Sequence, residues 1–392
     1  MQLKRPGRIS QALAAATCTL LAGHSGAVSA AQGDQLDVTD LHYAETGRVT
    51  VDEQVFALKQ DKKKNKTFTL KLFHDAITGA TPNGAANPTT FTSPSGSTYD
   101  STLAQIVDER YAVTADWGSE KSRLVKVNYG LSYSTELDYD SLGASWTKQR
   151  DTSNRMRTYS YGVSLNYDVV SAQGGNPIGL APVTDTTRTP SDTKVVADFL
   201  AGMTQVLSRN SLLQLSYTLG YSNGYLTDPY KIISVSGSGP YDLQFENRPG
   251  QRLGNSLYVR YIQNRKGGDV MKLGYRFYVD DWGILSHTVD LKYRYRMSGK
   301  WYLQPHLRVY TQTAANFYGY IFYSDTPVTG YASGDYRLGN LASITAGVQM
   351  GREFSTKLKA NVRVEYLHQL DRLDRFDSMD ALIAQLSFRY IF

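Results

Sequence analysis

Cysteine is almost missing from this chain. Cys18 is the only one in 392 residues, so no internal disulfide can form and no multi-thiolate metal centre is available. Long apolar runs are missing too. Beyond Ala12–Ala22 nothing approaches the ~18 consecutive apolar residues of a membrane-spanning helix, and mean hydropathy is −0.38, which excludes a helical membrane protein. Neither sign of charge dominates: 42 Lys and Arg stand against 36 Asp and Glu, too small an excess to mark a nucleic-acid binder. Histidine is scarce, six in all, and no phosphate-loop or dinucleotide fingerprint occurs in usable context.

What is present begins with a leader. Lys4, Arg5 and Arg8 precede the apolar stretch Ala12–Ala22, and Val28, Ser29 and Ala30 offer a cleavage site near Ala30 or Ala31. Residues 1–31 read as a secretory signal peptide. The stretch is too short for an anchor, and Cys18, between Thr17 and Thr19, does not sit in a lipobox. Losing three basic residues takes the net charge from +6 to +3. Residues 32–392, rich in Gly (33 in the chain) and Tyr (29), read as one all-β domain.

At the other end, Leu382, Ala384, Leu386, Phe388, Tyr390 and Phe392 occupy every second position, with Gln385, Ser387 and Arg389 between them. That is one strand with an apolar and a mixed face. With a terminal Phe and an aromatic two residues earlier, this strand resembles the last strand of a bacterial outer-membrane barrel. Similar segments recur. Val125 to Tyr133, Tyr159 to Tyr167, Met271 to Val279 and Val289 to Met297 alternate apolar with polar or small residues, each long enough for a tilted membrane strand. A soluble sandwich fits less well, since its core would have to hold all these aromatics and its strands run shorter.

Connections fall into two lengths. Short polar ones (61–66, 118–123, 150–155, 208–210, 264–268, 298–300, 351–355) alternate with longer ones near 79–106, 171–193, 223–251, 314–337 and 370–379, with tighter tips near 136–140 and 281–286. This pattern predicts a transmembrane antiparallel up-and-down barrel with short periplasmic turns and long external loops. Fourteen strands are clear from Lys66 onward. Arg48–Lys59 makes a fifteenth, blurred by Glu53, and even parity recruits Leu36–Ala44 as the first of sixteen, turning at Thr46-Gly47. A fourteen-stranded wall, with the N-terminal segments in the lumen or periplasm, is the alternative.

Several segments share an order. They are Asp75-Ala-Ile-Thr-Gly-Ala-Thr-Pro-Asn-Gly84, Asp138-Tyr-Asp-Ser-Leu-Gly143, Thr204-Gln-Val-Leu-Ser208, Ser222-Asn-Gly-Tyr-Leu-Thr-Asp-Pro-Tyr-Lys231, Glu246-Asn-Arg-Pro249, Asp280-Asp-Trp-Gly-Ile284, Ser286-His-Thr-Val-Asp-Leu291 and Tyr331-Ala-Ser-Gly-Asp-Tyr-Arg-Leu338. Together they make the chain resemble the bacterial family catalogued as domain of unknown function 3570. The resemblance implies an outer-membrane protein and brings no activity or catalytic residue with it.

Parity set by the lipid-facing aromatics puts Arg260, Lys272, Arg276, Lys292, Arg294, Arg296, His306 and Arg308 on the inner wall, with few acids such as Asp290 nearby. Such a wall attracts anions, unless Asp116, Asp168 and Asp198 across the lumen balance it. At the external rim, Asp75, Asp138, Asp140, Asp228, Asp280, Asp281 and His287 could offer oxygen ligands to a hard cation. They could equally pair with Lys231, Arg248 and Arg337, or simply form turns. For catalysis only Ser286, His287 and Asp290 are compact, and strand neighbours point apart. His74 and His368 fall on outward faces. Trp117, Trp146, Trp282 and Trp301 suit interfacial girdles, and the aromatic segment 314–325 suits a cap on the mouth.

The leading expectation is therefore an outer-membrane, porin-like channel for small solutes with a bias toward anions. The second is a closed barrel acting as a structural or docking protein for periplasmic or surface partners, and the third is an outer-membrane enzyme. No cofactor or metal is expected. Expected partners are outer-membrane lipid, lipopolysaccharide, small solutes and the barrel-assembly machinery through Phe388, Tyr390 and Phe392; nucleic acid is not among them.

Overall fold

The computed structural model describes residues 33–62, 65–86, 90–92, 98–100, 103–236, 242–265, 267–297, 299–323, 328, 330–372 and 378–392; the leader 1–31 lies outside them. Sixteen strands close into one antiparallel barrel. They are β1 Gln35–Glu45, β2 Val49–Lys62, β3 Lys66–Pro82, β4 Leu103–Ser122, β5 Val125–Thr135, β6 Tyr139–Asp151, β7 Arg157–Val170, β8 Asp192–Ser208, β9 Ser211–Gly224, β10 Gln251–Asn264, β11 Val270–Asp280, β12 Leu285–Arg296, β13 Trp301–Gln312, β14 Leu341–Glu353, β15 Leu358–Asp371 and β16 Met379–Ile391. Each pairs with its chain neighbour, and β16 closes on β1 from Gln35 opposite Ile391 to Glu45 opposite Ala381. No edge is left unpaired, as a wall immersed in hydrocarbon requires.

The alternation decides which face meets lipid. Tyr129, Leu131 and Tyr133 on β5, Tyr161, Val163, Leu165 and Tyr167 on β7, and Leu382, Leu386, Phe388 and Tyr390 on β16 are all exposed large apolar side chains. They share the outward face, and residues one step off point into the lumen. Trp117 is exposed on this outer face and packs on Phe68 at 5.5 Å, while Tyr390 and Phe392 meet edge to face at 5.2 Å. These form a girdle at the short-turn end. Trp282 departs from the girdle expectation. It is 4% exposed, because the tip between β11 and β12 is roofed by another loop.

Around the closing seam the faces are reversed in character. Leu41, Tyr43, Val49, Val51, Ile77, Ile106, Met379, Ala381 and Ile383 form a buried cluster on the inner side, whereas Asp40, His42, Asp52 and Gln54 look outward, with His42 2.7 Å from Asp52. This is why β1 and β2 read faintly in sequence. Gly79 ends this region with φ +124, and a Cβ there would lie 2.2 Å from the Arg48 carbonyl oxygen, so the close approach of β2 and β3 admits only glycine.

Candidate functional site

Besides the seam cluster, the interior holds a loop lid at the long-loop end and a basic stretch of wall, β10 to β13, beneath it. The lid is knitted from four connections. Ile232–Ser236 pairs with Asp242–Phe245 and, in parallel, with Phe322–Tyr323. Phe245 exchanges backbone hydrogen bonds with Leu180 and Ala181, Ile232 donates to Asn83, and Ala332 and Asn247 donate to one another. The lid also touches the barrel at widely separated strands. Lys231 donates to the Pro82 carbonyl at the end of β3. Arg48 lies over the Tyr336 ring at 5.5 Å, and Gln312 at the end of β13 donates to the carbonyls of Arg337 and Gly339. Phe317 packs edge to face on Trp282 at 5.0 Å. These contacts place the segment 314–323 over the mouth.

A buried charge network holds the lid together. Asp335 accepts from Arg248 at 2.8 Å and from Arg337 at 2.9 Å, and its carboxylate also caps the 3-10 turn Tyr336–Leu338. Arg337 reaches Asp228 at 3.0 Å, Arg248 donates to Glu246 at 3.1 Å, and Ser333 donates to Glu246. With Lys231 added, three cations face three carboxylates, so the group is neutral and each member depends on the rest. Burial pushes the Glu246 carboxyl up and the Lys231 ammonium down. Burial acts on Asp335 in the same sense, but the adjoining Arg337 and Lys231 outweigh it and hold its carboxyl well below 3.8.

The two carboxyls therefore respond oppositely to acid. The proton Glu246 binds more tightly in the native lid adds stability as pH falls. The stability from Asp335 is complete above its ordinary value and is lost as pH falls below it. The lid is expected to stay closed from about pH 7 to pH 5 and to loosen only below about pH 4; the rate at which an acid-stable protease cuts the loops of the folded barrel across that range checks it.

Beneath the lid the inner wall is asymmetric. On β5 to β9 it is mostly small and neutral, with Asn128, Gly130, Ser132, Gly143, Ser145, Ser160, Gly162, Ser164, Ser216 and Thr218, but Asp198, which accepts from Ser164 at 3.3 Å, and Asp168, near Lys194, face inward there too. The eight basic residues read from sequence lie on the adjoining stretch of wall, the inner faces of β10 to β13, with β10 paired to β9, and the structure divides them. His306 is buried between Glu365 (2.7 Å) and Asp290 (2.8 Å), and Arg308 reaches Asp290 at 3.0 Å. Among the described residues, no carboxylate lies within 4.0 Å of a side-chain nitrogen of Arg260, Lys272, Arg276, Lys292, Arg294 or Arg296. Arg276 sits over the Tyr258 ring at 5.6 Å and Arg294 over Tyr302 at 3.5 Å. A hollow of about 230 Å³ opens where the two stretches of wall meet, lined by Asp198, Thr218 and Ser222 from β8 and β9 and by Arg252, Ser256 and Tyr278 from β10 and β11.

His306 is thus a clamp between strands rather than a free cation. Replacing it by leucine leaves Asp290 and Glu365 facing each other without it, and is expected to cost about 3 kcal/mol of barrel stability. Thermal unfolding followed by heat-modifiable gel mobility measures this.

The rim carboxylates do not converge. Asp75 pairs with Arg110, Asp228 joins the lid, Asp280 binds Arg252 at 2.5 Å, and Asp281 caps the Leu253 amide at 2.9 Å. Asp138 lies with Asp108 and Glu136. His287 faces outward, 2.8 Å from the Tyr275 hydroxyl, while Ser286 is buried on the other face. His368 also faces outward, against Asp380 at 2.7 Å. The structure pairs Asp228 with Arg337, one of the ion pairs the sequence offered as the alternative to a cation site. Sequence reasoning missed Glu365, which no local signal links to His306, and the lid carboxylates Glu246 and Asp335.

The family described as protein of unknown function DUF3570 matches residues 10–390. No curated protein matches the chain in sequence. Similar solved structures include a bacterial polysaccharide outer membrane secretin (7% identity, 92% of this chain and 98% of that one, TM-score 0.48). Others are the CymD monoaromatic hydrocarbon channel (9%, 92% and 88%, 0.41) and the P. putida toluene transporter TodX (11%, 93% and 91%, 0.39). At these identities the likeness is one of barrel architecture.

Proposed function

The chain belongs to the family described as protein of unknown function DUF3570, and from its own geometry we propose that it is a passive outer-membrane channel, exported by the leader 1–31, that passes small solutes with a preference for anions. The observation that supports this most is the band of lumen-facing cations on β10 to β12 without carboxylates in ion-pair contact, beside a stretch of wall made mostly of serine, glycine and threonine. Mobile anions are the available counter-charge for such a band, and the low-dielectric tube focuses its field. Small residues on the adjoining β5 to β9 leave the space through which they move. The passage runs off-centre, because the seam side is filled by its own buried cluster.

The lid restricts this passage rather than replacing it. A permanently closed barrel serving as a docking element remains the competing reading, and the knitted loops favour it. Planar-bilayer recording separates the two. Discrete anion-preferring steps are expected from the refolded chain, small with the lid intact and larger with it released. A folded barrel that stays silent with the lid released would overturn the channel.

A further inference from the structure

Charge is sorted along the barrel axis. Between its flanking strands every short turn carries a lysine or arginine, including Arg123, Arg155, Arg209, Arg265, Lys300 and Lys357, and Asp269 is the only acid in those between-strand residues. The adjoining strand ends add Asp61, Glu120, Asp151 and Glu353, of which Asp61, Glu120 and Glu353 pair with Lys59, Lys126 and Lys359. In the connections at the other end carboxylates outnumber cations, with Glu136, Asp138, Asp185, Asp242 and Asp281 among them. The sorting continues inside. Arg294 and Arg296 occupy inner faces toward the short-turn end, and Arg296 is exposed there, as are the tips Arg123, Arg155, Arg209, Lys300 and Lys357. A net charge of +6 spread over the whole chain hides this polarity completely.

Resting on the channel reading, we propose that the short-turn, periplasmic end is a capture vestibule for a multiply charged anion presented from that side. A ring of like charge at the entrance of a tube raises the local concentration of counter-ions and their capture rate. The Arg294 and Arg276 shelves on Tyr302 and Tyr258 continue the path upward. The acidic loop end does the reverse and slows the approach of an anion from outside. A passive pore cannot pump, and its limiting permeability is equal in both directions. The polarity shows instead in capture rates, which grow steeply with the valence of the anion, and it is screened by salt.

Inorganic tripolyphosphate is the probe. Gln173→Cys marks the loop end of a chain lacking the leader, and therefore otherwise free of cysteine; a membrane-impermeant thiol reagent added to one chamber reports orientation. In about 0.1 M salt, tripolyphosphate is expected to block from the short-turn side at roughly tenfold lower concentration than from the loop side. The difference should vanish near 1 M salt, where the screening length falls to about 3 Å. It should also shrink to within about twofold when Arg123, Arg155, Arg209, Lys300 and Lys357 are changed to glutamine. Equal block from both sides in a conducting, anion-preferring channel overturns the vestibule alone. A folded chain that never conducts overturns the channel reading instead.

Discussion

Replacing Asp335 by alanine is expected to raise single-channel conductance several-fold while the barrel stays folded. Asp335 is 1% exposed and is bound by both Arg248 and Arg337. Without it, Arg248, Arg337 and Lys231 face only Asp228 and Glu246, which leaves a buried excess of positive charge. Removing one partner of such a group costs about 3–5 kcal/mol. The capped turn at Tyr336–Leu338 loses its cap as well, worth about 1 kcal/mol. Loops open at much lower free energy than barrel strands, so the loss falls on the lid. The strand ladders on either side are untouched, and heat-modifiable mobility should persist. Asp335→Asn, which keeps an acceptor but not the charge, should give an intermediate conductance. Removing charge in pairs, as in Asp335→Leu with Arg337→Met, should restore part of the closure, because an apolar replacement leaves no orphaned ion. Deleting 316–323, which strips Phe317 from Trp282, should raise conductance by a separate route. Unchanged conductance in a folded Asp335→Ala barrel would mean that the lid does not stand in the passage.

The barrel was legible because lipid imposes one rule on every strand. Working back from Phe392, outward parity is kept by Leu382 to Tyr390, by Val289 and Leu291, and by Tyr159 to Tyr167, and even strand number recruits the first two strands. The boundaries moved little. The first long connection shortens to 83–102 because β3 and β4 run to 17 and 20 residues, longer than their apolar stretches. The pattern weakened only at β1 and β2, where Glu53 is 2% exposed on the inner side among Val49, Val51 and Val55, so that both faces carry mixed residues. The lid was not legible in the same way. Segments such as 246–249 and 331–338 could be noticed, but Arg248 meets Asp335 across 87 positions and Arg337 meets Asp228 across 109. No periodicity encodes which loop folds over which. The same holds for His306 and Glu365, 59 positions apart. Their inward parity was readable, and their mutual pairing was not. The sorting of charge between turns and loops is a different case, visible in the sequence once strand ends are fixed, yet hidden by a near-neutral total.

Changing Arg276 and Arg294 together to glutamate is expected to reverse the sign of the reversal potential under a salt gradient, turning an anion-preferring pore into a cation-preferring one. Both side chains point into the lumen, Arg276 is exposed there, and each rests on a tyrosine ring instead of an acid. Each replacement shifts the local charge by two units. At about 5–8 Å in water-filled space a unit charge contributes roughly 0.5–1 kcal/mol, so one replacement moves the balance between anion and cation by about 2 kcal/mol or more, and two together exceed a hundredfold in permeability ratio before screening. The screening length of about 10 Å in 0.1 M salt leaves most of this effect, and about 3 Å in 1 M salt removes most of it. The reversal should therefore be clear in dilute salt and fade in concentrated salt. Arg308, tied to Asp290 at 3.0 Å, provides the contrast. Arg308→Gln removes a cation whose charge is already balanced, and should change selectivity far less while lowering stability through the His306 clamp. If Arg276 and Arg294 do set the preference, the glutamate pair and the Arg308 variant will separate selectivity from stability. An unchanged reversal potential in the folded double variant would place the selective step elsewhere, at the lid or the turn ring.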